Sequence, residues 1–149
     1  MVPTHVLIVD DEEMVRRTLK REILAAHPDC TITQAADANE ALAMLDDHMF
    51  FDVIVSDNSM PGSMKGLEFL RQVGGRFPRS VRILVTGDRD NGEFAAAVFS
   101  GTLFACLAKP WDSAELHSVI RSAVTKVLDP EGVRLDDDPD DDFADGEPW

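Results

Sequence analysis

Cysteine, cationic side chains and long apolar runs are all scarce in this sequence. Two cysteines, Cys30 and Cys106, cannot build a disulfide framework, and no CxxC or Cys/His cluster offers zinc a site. His5, His27, His48 and His117 are scattered without metal-ligand spacing and read as surface or helix-end residues. The N-terminus lacks the basic region of a leader, and its apolar stretch VLIV (6–9) is far short of the ~18 residues a membrane span needs. With 14 Lys+Arg against 28 Asp+Glu, the balance excludes direct nucleic-acid binding as the expected role, because phosphate backbones attract cationic clusters. No GxxxxGKS/T phosphate loop and no internal repeat occur. The expected setting is a reducing cytoplasm, without membrane insertion.

What is present divides the chain in two. A length of 149 residues at 44% apolar content suits one domain with a sizeable core. Residues 129–149 hold ten acidic residues and one arginine, which leaves a net charge of only −5 of the total −14 for residues 1–128. The segment LDDDPDDDFADGEPW carries self-repelling charge and little to bury, so 129–149 reads as a disordered acidic tail. Its simplest role is a solubilising extension; the sharper alternative is contact with a basic partner surface through Phe143 or Trp149.

Residues 1–128 alternate between two periodicities. VLIV (6–9), TIT (31–33), VIV (53–55) and VRILV (81–85) read as buried strands, with FACLA (104–108) as a fifth of weaker propensity. Between them run helical stripes: Val15, Leu19, Ile23 and Ala26; Ala41, Leu42 and Leu45; Leu67, Leu70 and Gly74; Phe94, Val98 and Gly101; Leu116, Ile120, Ala123 and Val127. Asp112 and Glu115 have the spacing of a capping box at the last helix. Five βα units in succession predict an α/β fold, a doubly wound parallel sheet with helices on both faces. Ligands of such sheets bind outside the carboxyl ends of the strands.

Those ends carry a distinctive set. Asp10, Asp11, Glu12 and Glu13 follow the first strand, Asp57 the third, Thr86 the fourth and Lys109 the fifth. Carboxylates gathered at one edge repel unless a cation sits among them, and oxygen-only ligands at an open site suit Mg2+. A lysine nearby can neutralise a phosphoryl group, a threonine hydroxyl can donate to it, and an aspartate can be the nucleophile that takes it. Singly each has a blander explanation: acidic residues favour a helix N-terminus, and Thr-Gly often only makes a turn. Their joint occurrence at successive strand ends is the informative feature.

VLIVDDEEMVRR, VIVSDNSMPG, ILVTGD and CLAKPW resemble the four signature segments of the response-regulator receiver domain, the CheY-like family, over residues 4–128. That resemblance implies a five-stranded sheet of order 2-1-3-4-5 with five helices, and a site assembled from strand ends. It implies Asp57 as phosphoacceptor, Asp11 coordinating Mg2+ directly, Asp10 helping through water, and the backbone carbonyl of Ser59 completing the protein ligands. Lys109 would pair with a phosphoryl oxygen, with a cis Lys109–Pro110 bond, and Thr86 would carry the change to the face of the fourth helix, fifth strand and fifth helix. The implied partners are a histidine kinase or histidine phosphotransfer protein and a downstream protein target. The KPWD segment is also similar to receivers fused to cyclic-di-nucleotide phosphodiesterase domains.

The sequence departs from the family pattern at three places. Cys106 occupies the position of the usual switch aromatic, with Phe104 as a substitute two residues earlier. MPGSMKG spaces Pro61 and Gly66 one residue wider than usual and puts Lys65 where an acidic residue is common. Ser59 and Asp88 occupy positions that tune phosphoryl lifetime in the family. The expected function is a stand-alone receiver switching a protein-interaction face, with residues 94–99 apolar enough for a homodimer contact; it is not a classical enzyme. A pseudo-receiver acting without phosphorylation is the alternative. A metal-dependent phosphohydrolase ranks last, since Ser59 stands where its general acid would be.

Overall fold

The computed structural model describes residues 4–62 and 64–129; the acidic tail expectation lies outside the described residues. Strands β1 (His5–Val9), β2 (Thr31–Ala35), β3 (Val53–Asp57), β4 (Val81–Thr86) and β5 (Ala105–Ala108) alternate with helices α1 (Glu13–Ala26), α2 (Ala38–Asp46), α3 (Gly66–Arg76), α4 (Gly92–Phe99) and α5 (Ser113–Leu128). The strands form one parallel sheet in the order β2-β1-β3-β4-β5, as expected. Parallel strands are covered on both faces, so β3 in the centre is buried throughout while the edge strands β2 and β5 keep exposed or half-buried positions.

Alternate residues of each strand feed two apolar layers. Leu7, Val9, Ile54 and Leu84 pack with Leu45 of α2, Phe69 and Leu70 of α3 and Phe94 of α4. Val6, Ile8, Val53, Val55 and Ile83 pack on the other face with Leu19 and Ile23 of α1 and Leu116 and Ile120 of α5. Phe69 is fully buried, a burial that contributes roughly 2–3 kcal/mol over leaving it exposed.

Three local expectations are corrected. In α4 the inward residues are Phe94 and Ala97, whereas Val98 is exposed; the helix stops at Phe99, and Gly101 lies beyond it at φ 87°. An eight-residue helix has too few turns to sustain the longer stripe. Gly74 in α3 is there for clearance: a Cβ would sit 3.0 Å from Cζ of Arg82. Met60, in the loop after β3, is buried in the α3-side core. At α5, the Asp112 side chain makes no cap hydrogen bond, and both Glu115 oxygens accept instead from Arg89 at 3.0 and 2.8 Å. The reciprocal arrangement forms at α2, where Asp37 accepts from the Glu40 N–H and the Glu40 carboxylate accepts from the Ala36 N–H.

Arg82 ties the lower rim of the sheet together. It donates to the carbonyls of Thr102 (2.9 Å), Ser80 (2.9 Å) and Phe77 (3.3 Å), and to Ser80 Oγ (2.9 Å). Arg82→Met keeps the apolar stem but strands those acceptors. Urea unfolding should show a loss of about 2–3 kcal/mol, and an unchanged midpoint would show that water serves them equally well.

Candidate functional site

Three strand ends and one loop assemble the site. Asp10 directly follows β1 and is 1% exposed, Asp57 ends β3 and is 5% exposed, and Asp11 lies exposed beside them. One carboxylate oxygen from each of the three lies within 4.8 Å of the others. Asp10 Oδ1 accepts the Glu12 N–H at 2.8 Å, which turns its other oxygen toward Lys109. The Lys109 ammonium, carried by the turn after β5, is 3.0 Å from Asp10 Oδ2 and 3.6 Å from Asp57 Oδ2. The Lys109–Pro110 bond is cis, as the resemblance implied.

The charges do not balance. Burial pushes the Asp57 carboxyl above its usual range; Lys109 opposes this, Asp10 reinforces it, and a hydrogen bond from the Ser59 backbone also opposes it. Burial alone would lower the Lys109 pKa, but its bond to Asp10 and the charges of Asp10, Asp57 and Glu12 outweigh that and raise it. One lysine against three carboxylates leaves an excess of negative charge on an all-oxygen donor set. A hard divalent cation such as Mg2+ fits that donor set and that charge, and Asp10, Asp11 and Asp57 are the side chains that would hold it.

The other expected residues surround this cluster unequally. Thr86 is 4% exposed at the end of β4, and its Oγ1 accepts the Asp88 N–H at 3.1 Å. The Asp88 side chain is exposed and faces Asn91. Cys106 is half-buried, and burial pushes its thiol up, against the nearby charge of Arg89. Such a thiol is mostly protonated at neutral pH and a poor nucleophile. Phe104 is not near the carboxylates: its N–H bonds to the Arg82 carbonyl at the start of β4, and its ring lies under Lys126.

Sequence reasoning missed two supports of Asp57. The Asn58 side chain accepts the Leu67 N–H at 3.0 Å, and its carbonyl accepts the Gly66 N–H at 3.1 Å, so the residue after the acidic strand end holds the start of α3. Gly66 packs directly on the backbone of Asp57 and Asn58. Gly62, in the loop that precedes Gly66, has φ 94°. A cavity of about 370 Å3 between Phe50, Pro78 and Val127 lies elsewhere. Chemistry, not cavity size, marks the site.

Fold and site together define an open α/β protein with a carboxylate–lysine cluster at its strand ends. The family model for the response regulator receiver domain matches residues 6–121, and the chain belongs to that family. It is 35% identical over 123 residues to the hydrogenase transcriptional regulatory protein HoxA of Cupriavidus necator, and 34% identical over 121 residues to the DNA-binding transcriptional regulator NtrC of Escherichia coli. Each match covers 80% of this chain but only 24% of the relative. Among solved structures, the signal receiver domain of an HD domain-containing protein from Pseudomonas fluorescens superposes with a TM-score of 0.74 at 31% identity, covering 85% of this chain and 98% of that one. A CheY-like receiver domain protein from Methanospirillum hungatei matches the fold with a TM-score of 0.74 at 24% identity, covering 86% and 98%. No helix among the described residues is long and apolar enough to cross a membrane.

Proposed function

We propose that this chain is a phosphoacceptor switch, taking a phosphoryl group on Asp57 from the phosphohistidine of a histidine kinase or histidine phosphotransfer protein. The observation that supports it is the Asp10–Asp57–Lys109 cluster, in which a buried carboxylate sits beside both a cation-ready oxygen set and an ammonium. In the transfer an Asp57 oxygen attacks phosphorus, the nitrogen–phosphorus bond breaks, and an acyl phosphate forms. Hydrolysis by water later restores the carboxylate.

Asp10, Asp11, Asp57 and the Ser59 carbonyl would hold Mg2+, which when bound neutralises charge on the phosphoryl oxygens. Lys109 pairs with one of those oxygens as a point charge, and the Thr86 hydroxyl donates to another, leaving its present acceptor role toward Asp88. The chain's contribution is positioning and charge, not a classical enzyme's turnover. Residues 1–128 form the receiver and 129–149 an acidic tail. The output is a change of the α4–β5–α5 face toward a downstream protein in the cytoplasm, with Asp88 and Cys106 modulating it and a homodimer contact at α4 as one form it takes. The match spans only 24% of the HoxA and NtrC relatives.

Incubation with acetyl phosphate should add one phosphoryl group by intact mass, only with Mg2+ present. No adduct at short times, nor with a kinase donor, would overturn this reading in favour of a pseudo-receiver that binds partners without phosphorylation.

A further inference from the structure

We propose that Glu22 on α1 is a positioning residue for Lys109, acting through Trp111 by bracing the start of α5 from another helix. The N-terminus of α5 lacks a side-chain cap of its own, and Glu115 in its first turn is engaged by Arg89. Glu22 instead gathers side chains around this helix end. Its Oε2 accepts Trp111 Nε1 at 3.0 Å and Ser113 Oγ at 3.1 Å, and its Oε1 is 3.2 Å from His117 Nε2. All three partners follow Lys109 within eight residues.

The geometry gives these bonds a consequence at the phosphosite. The Lys109 N–H is held by the Thr86 carbonyl at 2.9 Å, so the turn is pinned on its strand side; two residues on, Glu22 pins it on its helix side through Trp111. A lysine carries four rotatable methylenes, and its ammonium finds one place only if the root of the side chain is fixed. The same helix also grips the partner: Arg16 of α1 donates to the Asp10 carbonyl at 2.6 Å. Six residues of helix, about 9 Å, therefore set the distance between the strand end bearing Asp10 and the turn bearing Lys109. The Glu22 carboxylate is favoured in its charged form, first by the Trp111 bond, with burial opposing and Ser113 and His117 assisting.

The rate readout rests on the phosphoacceptor reading; a second readout does not. In the full chain, Glu22→Ala should slow phosphorylation by acetyl phosphate roughly tenfold, and Glu22→Gln, which keeps an acceptor for Trp111, should recover part of that loss. Combined with Lys109→Ala, Glu22→Ala should cost nothing further in rate, while lowering Tm equally in both backgrounds. Independently, acylation of the Lys109 amine, mapped by peptide mass against Lys65, should rise several-fold in Glu22→Ala as the ammonium leaves its carboxylates. A rate loss of the same size with and without Lys109, or unchanged Lys109 acylation, would overturn the inference. If wild type takes no phosphoryl group, the proposed function fails and the acylation result still decides the role of Glu22.

Discussion

Asp57→Asn should abolish the phosphoryl adduct and at the same time make the metal-free protein more stable. The two effects come from one cause. Asp57 is 5% exposed, next to Asp10, and the ammonium between them is nearer Asp10, at 3.0 Å, than Asp57, at 3.6 Å. Burial therefore outweighs Lys109 and raises the folded pKa. A carboxyl whose folded pKa exceeds its unfolded one gives stability that is full below the unfolded value and lost as pH rises through the folded value. Above the folded value that contribution is gone, and asparagine restores a neutral group with neighbouring carboxylates to accept its N–H bonds. Thermal melts in chelator should show a gain of roughly 3–6 °C, shrinking as pH falls toward the range where wild-type Asp57 protonates. Mg2+ should narrow the gap by stabilising wild type. A lower Tm for the variant would mean that Lys109 already compensates Asp57 fully.

Gly66→Ala should be the most destabilising small substitution at the site. An added Cβ would lie within contact distance of the Asp57 carbonyl oxygen and 2.8 Å from Asn58 Cα. Both obstacles are backbone at the end of a buried strand, so no side chain can swing aside. Either α3 lifts from β3, breaking the Gly66 N–H bond to the Asn58 carbonyl, or Asp57 is displaced. Overpacking of this kind costs about 3 kcal/mol, equivalent to a fall in Tm of roughly 10 °C, and phosphorylation should slow as well. Gly75→Ala is the control in the same helix: nothing lies within 4 Å of its Cβ position, so it should be neutral or slightly stabilising. Equal effects of the two substitutions would show that helix propensity, not close packing, governs α3.

Much of the framework was legible in sequence because it depends on period and punctuation. Short β-branched runs became the central strands, and α1, α2 and α5 bury the stripes expected of them, with Leu19, Ile23, Ala41, Leu45, Leu116 and Ile120 all buried. Failures occurred where a short pattern admitted two readings. In α4, Phe94 pairs with Ala97 and not Val98 because the helix is only eight residues long. An Asp-x-x-Glu spacing closes at Asp37–Glu40 but not at Asp112–Glu115, because Arg89, 26 residues before Glu115, competes for the second carboxylate.

The sequence by itself determined the five alternating units and which chemical groups stand at the strand ends, since both are properties of local order along the chain. Only the tertiary structure decided which of those groups meet. Lys109 reaches Asp10 across 99 positions, Trp111 reaches Glu22 across 89, and Gly66 is needed because α3 turns back onto Asp57. Such contacts depend on how parallel strands order themselves and on where helices cross them, and no local spacing encodes a distance between segments that far apart.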